Sequence, residues 1–206
     1  MKNVRAFIFD LGAVILNINY QNTIDEFKKL GVKNPNSFYS KKTQTHLFNQ
    51  IETGKISQKE FLLQLQKETS DASIQQVKNA WNAMLLDLPE ERIKLLKSLN
   101  QNYAIFLLSN TNALHICEFK KKLGNKKYTE FYNLFDKVYY SHKIGFRKPQ
   151  AEAFTIILNQ NKLSAHEVLF IDDSPQHIEG AKKLGIQADH LQDNEEVTTL
   201  FPDIVL

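Results

Sequence analysis

The sequence predicts an α/β protein: a doubly wound parallel sheet with a bundle of helices inserted after its first strand. Short apolar runs that end in a polar residue recur along the chain, and helix-period segments separate them. One long stretch after the first run has helical periodicity and no strand-like run. The 206 residues, 42% hydrophobic and 24% charged, suffice for one substantial core and a modest second unit beside it.

Five apolar runs are the predicted strands. The first, Val4 to Phe9, is nearly continuous, which is typical of a strand buried on both faces of a parallel sheet, and Asp10 follows it. The later runs are Tyr103 to Leu108 before Ser109, Lys137 to Tyr140 before Ser141, Val168 to Ile171 before Asp172, and the weaker Ile186 to Leu191. Ligands bind beyond the carboxyl ends of parallel strands, so the polar residues after these runs are candidate site residues.

Prolines indicate where the helices between the strands begin. Pro89, Pro149 and Pro175 each occupy a plausible first helical position, and Ser174 is a suitable N-cap before Pro175. Lys148 is therefore expected at or beside a helix N-terminus, where backbone N–H groups and the helix dipole already favour an anion. A cation at that place would help to hold a phosphate.

The inserted helical unit is predicted over residues 17–86, and the α/β core over residues 1–16 and 87–206. Apolar residues recur at helical spacing in four segments of the insertion. These residues are Tyr20, Ile24 and Phe27; Leu47, Phe48 and Ile51; Phe61, Leu62 and Leu65; and Val77, Trp81, Met84 and Leu85. Ser57 and Glu60 form a capping-box pattern that starts the third helix, and Gly54 supplies the turn before it.

Composition argues against several classes of protein. A formal net charge of +3 is too small to indicate nucleic-acid binding, and no aromatic residue interleaves with the lysines from Lys120 to Lys127 to stack on bases. The single Cys117 excludes an internal disulfide framework, as expected in a reducing cytosol. No apolar stretch approaches the roughly 20 residues of a membrane span. We expect a cytoplasmic protein without a nucleic-acid or membrane partner; its oligomeric state is not predicted.

Four motifs resemble those of the haloacid dehalogenase superfamily. They are F-I-F-D-L-G-A-V around Asp10, L-L-S-N-T-N around Ser109, I-G-F-R-K-P around Lys148, and F-I-D-D-S-P-Q-H-I-E-G-A around Asp172. The motifs occur in the family's order at strand ends, and the resemblance covers nearly the whole chain, including an insertion similar to the C1-type cap. It implies a Rossmann-like core and a phosphatase that acts on a small phosphorylated metabolite, with Mg²⁺ as cofactor.

The resemblance implies how phosphate would be handled. Asp10 would be the nucleophile, because a carboxylate can attack phosphorus and leave an aspartyl-phosphate that water then hydrolyses. Ser109 would hydrogen-bond a phosphoryl oxygen, and Lys148 would neutralise charge on the nucleophile and the transferring group. The residues expected to bind phosphate are Leu11, Gly12, Ser109, Asn110, Lys148 and, from the cap, Lys55.

The resemblance also implies a metal site. Mg²⁺ would be held by Asp10, the backbone carbonyl of Gly12 and Asp173, with Asp172 acting through a water or from behind the direct ligands. An oxygen-rich shell of this kind suits Mg²⁺. His177 stands where the family often has Asn, and we expect it behind the site or at the surface.

Gly12 departs from the family pattern. Most phosphatases of the superfamily place a second Asp there, two residues after the nucleophile, as general acid and base. Positioned proton transfer is typically worth about 10²–10⁴-fold, whereas enzymes reach roughly 10²¹-fold on the slowest phosphate-monoester hydrolyses, so its loss need not abolish catalysis. We expect a bias toward leaving groups that need less protonation, such as those of sugar 1-phosphates, acyl phosphates and aryl phosphates. The D-L-G variant is also similar to a branch of bacterial sugar-phosphate phosphatases that includes α-glucose-1-phosphatase.

The cap is expected to close over Asp10, exclude water and bring residues of its own to the substrate. Gly54 and Lys55, in the turn E-T-G-K-I-S, are the predicted contacts. A solvated turn is the alternative interpretation for Lys55.

Three other functions stay open from the sequence. A hydrolytic dehalogenase uses the same kind of nucleophile without a metal, but Asp172 and Asp173 beside it would then lack a compensating cation. A phosphate-binding or regulatory module with little activity is allowed by Gly12 and His177. A phosphomutase would depend heavily on the missing acid/base Asp.

Overall fold

A five-stranded parallel sheet lies at the centre of the computed structural model, which describes residues 3–37 and 46–202. The strands are β1 (Ala6–Phe9), β2 (Ala104–Ser109), β3 (Lys137–Tyr140), β4 (Val168–Asp172) and β5 (Gln187–His190). Their order is β3-β2-β1-β4-β5, and every pairing is parallel. The chain leaves β1 in one direction across the sheet and later returns to the other side of it, so Asp10 follows the central strand at a switch point of the topology.

Ten α-helices occur in the described parts of the chain. Four follow β1: α1 (Tyr20–Lys29), α2 (His46–Glu52), α3 (Gln58–Gln66) and α4 (Ile74–Asn82). The remaining six are α5 (Glu90–Leu99), α6 (Ala113–Leu123), α7 (Asn125–Tyr132), α8 (Ser141–Ile144), α9 (Ala151–Asn161) and α10 (Pro175–Lys183). Short 3₁₀ helices cover Pro35–Ser37, Ala165–Glu167 and Val197–Leu200. No helix among the described residues is long and apolar enough to cross a membrane.

Both faces of the sheet are buried. Phe7 and Phe9 point into an apolar cluster that includes residues of α5, α6 and α7, whereas Ile8 points into a second cluster with residues of α9 and α10. Successive strand residues alternate between the two faces, so a strand covered on both sides needs a continuous apolar run. The predicted fold class is confirmed, and the five predicted strands are present in order.

Helices α1 to α4 contribute most of a third apolar cluster. Phe48 stacks on Trp81 with ring centroids 5.2 Å apart, and Phe61 meets Trp81 edge-on at 4.7 Å. The predicted helical face from Val77 to Leu85 is only partly correct, because α4 ends at Asn82 and Met84 and Leu85 pack with the sheet instead. The division of the chain at residues 17 and 86 stays a prediction.

Local helix signals are partly correct. Pro175 is the first residue of α10 with Ser174 as its N-cap, as predicted, and the Ser57 hydroxyl accepts a hydrogen bond from the Glu60 N–H at the start of α3. Pro89 is instead the N-cap of α5. Pro149 precedes the N-cap of α9 and follows a cis peptide bond, so Lys148 does not sit at the helix N-terminus. The turn from residue 147 to residue 150, closed by a 2.9 Å backbone hydrogen bond, delays the helix start.

Candidate active site

A cavity of about 430 Å³ opens at the carboxyl edge of the sheet. Asp10, which follows β1, lies in its wall together with Ser109, the last residue of β2, and Asp173, which follows β4. Leu11, Gly12, Asn110 and Lys148 line it too, so seven residues predicted as site residues share one cavity. They come from four separate segments of the chain between residues 10 and 173 and meet because parallel strands all end at the same edge.

Lys148 is the central cation of this group. Its side chain is fully buried, and its Nζ lies 2.7 Å from Asp10 Oδ1 and 2.6 Å from Asp172 Oδ2. Burial acts to lower the pKa of Lys148, but the two carboxylates outweigh burial and raise it. The ammonium therefore stays charged between the two acids.

Asn110 fixes the backbone that carries Lys148. Its Oδ1 accepts from the Lys148 N–H at 2.8 Å, and its Nδ2 donates to the Lys148 carbonyl at 2.9 Å. Both ends of the amide are thus engaged with the chain. Asn110 is predicted to bind phosphate; its contacts in the structure instead position Lys148.

The ionised form of Asp10 is destabilised by its surroundings. Burial raises the pKa of Asp10 to about 7, with Asp172 and Asp173 adding to the effect and Lys148 opposing it. The Leu11 N–H donates to Asp10 Oδ1 at 2.7 Å and supports the ionised form. One lysine does not fully compensate this group of carboxylates, which a further cation would stabilise.

Asp172 contacts several other residues of the site through both of its carboxylate oxygens. Its Oδ2 pairs with Lys148, while its Oδ1 accepts from the Ser174 N–H at 2.8 Å and lies 2.9 Å from His177 Nδ1. Burial acts to raise the pKa of Asp172, but Lys148 and His177 outweigh burial and lower it. Both oxygens already have partners, and the expected place of Asp172 behind the direct metal ligands stays a prediction. His177 is not a surface residue, since its ring lines the cavity.

The carboxylates form a geometry that suits a divalent cation. Oxygens of Asp10, Asp172 and Asp173 all lie within 4.8 Å of one another. Such a set of hard oxygen donors, with more negative charge than Lys148 neutralises, fits Mg²⁺ rather than a thiophilic metal. Gly12 lines the same cavity.

Gly12 marks where the usual acid/base side chain is missing. A Cβ built on Gly12 would lie 3.1 Å from the flexible end of Ile18, and its three nearest neighbours would all be atoms of that side chain. The backbone does not itself demand glycine here. The neighbouring wall is apolar, formed by Leu16, Ile18, Met84 and Leu85.

The cap residues that line the cavity are not the predicted ones. Lys55 is exposed and is not part of the cavity wall, so its predicted phosphate contact does not agree with the structure. Gly54 touches the core instead of the cavity: with φ +69°, a Cβ on it would lie 2.5 Å from the His142 carbonyl oxygen. This close approach brings the end of α2 against α8.

Several residues of the cavity wall are not predicted from the sequence as site residues, and four of them carry polar or charged groups near the substrate space. Tyr20 at the start of α1 and Glu52 at the end of α2 line the cavity, as do His115 and Arg147. Glu52 Oε2 lies 3.0 Å from Arg147 Nη2, which joins the cap to the core. The R-K-P motif could have indicated Arg147, but nothing local distinguishes Glu52 from any other helix-end carboxylate.

The burial of His115 leads to a prediction of how the free energy of unfolding depends on pH. It is 8% exposed, it stacks on Trp81, and its Nε2 lies 3.2 Å from the Trp81 carbonyl oxygen. Burial lowers the pKa of His115 from its ordinary 6.5 to about 4. Between these values the unfolded chain binds the proton and the folded chain does not, so the free energy of unfolding should fall as the pH falls. This difference in pKa between the unfolded and folded chain corresponds to roughly 3 kcal/mol in the free energy of unfolding.

The measurement is urea unfolding of wild type and His115→Gln at about pH 7 and about pH 4.5. The variant should lose less stability than the wild type between the two conditions, because glutamine has no proton to take up. His166→Gln is the matched control, since His166 is exposed and should keep the wild-type pH dependence. Equal pH dependence in all three proteins would contradict the prediction.

Sheet and site together define an α/β protein with a carboxylate cluster and a buried lysine at the carboxyl edge of a parallel sheet. The chain belongs to the haloacid dehalogenase-like hydrolase family, whose model matches residues 7–189. The family indicated by the four motifs is thereby confirmed.

Similar proteins include phosphatases. A D-ribitol-5-phosphate phosphatase of Bacteroides thetaiotaomicron is 28% identical over 188 residues, 89% of this chain and 90% of that protein. A sesquiterpene phosphatase of Aspergillus oryzae is 26% identical over 193 residues, 92% of this chain and 91% of that protein. A HAD family enzyme of B. thetaiotaomicron, solved in complex with magnesium and inorganic phosphate, is 30% identical with a TM-score of 0.84, and the match covers 96% of this chain and 99% of that chain.

Proposed function

We propose that this protein is a Mg²⁺-dependent phosphatase that hydrolyses a phosphate monoester of a small metabolite through an aspartyl-phosphate on Asp10. The observation that carries the proposal is the buried group in which Lys148 Nζ lies within 2.7 Å of oxygens of both Asp10 and Asp172, with Asp173 beside them. The phosphatase relatives, matched over nearly their whole length, support it.

Asp10 is the nucleophile in this proposal. One carboxylate oxygen forms a bond to phosphorus while the bond from phosphorus to the leaving oxygen breaks, and that oxygen takes up a proton from solvent. Water then attacks the phosphorus of the aspartyl-phosphate, which releases inorganic phosphate and restores the carboxylate. Lys148 favours the ionised form of Asp10 and offers its charge to the transferring group, and Ser109 donates its hydroxyl to a phosphoryl oxygen.

Asp10, Asp173 and the Gly12 carbonyl are the residues that would hold Mg²⁺. When bound, the ion supplies charge stabilisation for the phosphoryl oxygens. Asp172 orients Lys148 and His177, and Asn110 holds the backbone of Lys148 in place. Catalysis of phosphoryl transfer depends mainly on such positioning and electrostatics.

The substrate class that agrees best with the relatives is a sugar or polyol phosphate. The relative named a D-ribitol-5-phosphate phosphatase supports this class, and the sugar 1-phosphate hypothesis remains one case of it. The expected preference for leaving groups that need little protonation stays a prediction; it fails if simple alkyl phosphates react as fast as anomeric or aryl phosphates of similar size.

Metal removal tests the proposal against the dehalogenase alternative. Purified protein with Mg²⁺ should release phosphate from phosphate monoesters, and EDTA should lower the rate at least about 100-fold, because charge neutralisation by the ion contributes several kcal/mol to the barrier. Excess Mg²⁺ should restore the rate. Halide release from a 2-haloacid that is unaffected by EDTA, without phosphate release from any ester, would instead support the dehalogenase.

A further inference from the structure

Asp173 lies in a turn beyond the end of β4. The strand ends at Asp172, which is the last residue of β4 that pairs with β5, so the strand pairing does not hold Asp173 itself. Asp10, by comparison, is bound through its own N–H to the Ile171 carbonyl at 3.0 Å. The position of the Asp173 carboxylate therefore depends on the contacts that hold this turn.

A histidine of β5 contacts the backbone of the turn. His190 is the last residue of β5 and pairs with Asp172 in the sheet, which places it beside the turn. The Nε2 of its half-buried ring lies 3.1 Å from the backbone carbonyl oxygen of Asp173. Because a carbonyl oxygen only accepts, His190 Nε2 donates this hydrogen bond.

Gln192 orients the ring of His190 for this contact. The Gln192 Nε2 lies 2.7 Å from His190 Nδ1 and 3.3 Å from the His190 carbonyl oxygen, so the amide group can donate to both. A ring nitrogen that accepts a hydrogen bond carries no proton, and the ring proton therefore lies on Nε2. The amide thus selects the tautomer that donates to Asp173.

Both peptide groups that flank the Asp173 Cα are held. The carbonyl of Asp172 accepts from the Leu191 N–H at 3.0 Å, which holds the peptide group before Asp173. In the peptide group after it, the carbonyl accepts from His190 and the Ser174 N–H donates to Asp172 Oδ1 at 2.8 Å. The bond from His190 can be removed by changing one side chain while every carboxylate stays in place.

We propose that His190 is a positioning residue for the metal site, because its bond to the Asp173 carbonyl holds the Asp173 carboxylate where it can bind Mg²⁺ together with Asp10. The inference rests on the Mg²⁺ site of the function proposed above and adds a residue from outside the four motifs. Loss of a residue that orients a metal ligand typically costs 10- to 100-fold in metal affinity. His190 acts on the backbone of the ligand and not on its carboxylate, so we expect a loss of about 10-fold.

The test is a calorimetric titration of the metal-free protein with Mg²⁺ in the absence of substrate. The amide nitrogen of glutamine is an ε atom, like His190 Nε2, whereas that of asparagine is a δ atom and does not reach as far. In His190→Asn the Kd for Mg²⁺ should rise about 10-fold, and in His190→Gln it should stay within about 3-fold of the wild-type value. His166→Asn is the matched control, since His166 is exposed and should keep the wild-type Kd.

The second measurement is phosphate release at increasing Mg²⁺ concentration. The half-saturating Mg²⁺ concentration should rise in His190→Asn by the same factor as the Kd. The value of kcat at saturating Mg²⁺ should change little, because the bound ion then holds Asp173 in place. A merely structural loss would instead lower activity at every Mg²⁺ concentration.

An unchanged Kd in His190→Asn would overturn the inference, while the phosphatase function would stand. Equal rises of the Kd in His190→Asn and His190→Gln would also overturn it, because the donated hydrogen bond would then not be the cause. If the wild type binds Mg²⁺ and His190→Asn binds it more weakly, but neither releases phosphate from any ester, the inference holds and the proposed function fails.

Discussion

Asp10→Asn is expected to lower kcat for phosphate-ester hydrolysis by roughly 10⁴-fold or more. Asparagine keeps the size of the side chain but lacks the nucleophilic carboxylate that the aspartyl-phosphate requires. The measurement is phosphate release with Mg²⁺ on the ester that the wild type hydrolyses fastest. The variant should remain folded, because removal of a buried carboxylate whose pKa is raised to about 7 relieves an electrostatic cost.

Asp189→Asn is the matched control, since Asp189 is exposed in β5 and should leave kcat unchanged. The same comparison decides between the phosphatase and a phosphate-binding module. A wild type that is no faster than Asp10→Asn would support the module. A trapped phosphoenzyme in the wild type, absent from the variant, would identify Asp10 as the phosphorylated residue.

Lys148→Met is expected to lower the free energy of unfolding by about 3–5 kcal/mol and to remove activity. Methionine fills a similar volume, but Asp10 and Asp172 then lie buried without their shared cation. The measurement is urea unfolding in EDTA, so that no added ion replaces the lysine. The loss should be smaller at low pH than at neutral pH, because protonated carboxyl groups need no cation.

Two further variants test whether the loss of stability in Lys148→Met comes from the loss of the lysine charge. The double variant Lys148→Met/Asp172→Asn should recover part of the stability, because it removes one of the two unpaired carboxylates. Lys182→Met changes an exposed lysine of α10 and should be nearly neutral. A loss below about 1 kcal/mol in Lys148→Met would contradict a central role for the pair.

The strands and the motif residues at their ends could be predicted because their signals are local. A run such as Val4 to Phe9 has to be apolar on both sides, since both faces of a parallel sheet are covered, and this can be recognised without knowing the partners. Asp10, Ser109 and Asp173 follow from the rule that ligands lie beyond the carboxyl ends of strands. Lys148 lies in the same cavity, and α9 begins at Ala151, two residues later than predicted from Pro149.

The cap residues that line the cavity could not be predicted from the sequence. Its helices could be predicted from their periodicity, but the residues that reach the cavity depend on how the bundle packs on the core. Lys55 is charged and lies in a turn, but it is exposed and is not part of the cavity wall. Glu52, three residues earlier, lies in the wall, and no local pattern distinguishes the two.

The sheet, the carboxylates and lysine at its edge, and the family to which they belong could therefore be predicted from the sequence alone. These features depend on periodicity and on residue order within short segments. The folded protein was needed to see that Asn110 holds Lys148, that His177 contacts Asp172, and that Glu52 meets Arg147. Each of these contacts joins residues from separate segments, and its distance is set by the packing of whole helices against the sheet, which no single segment encodes.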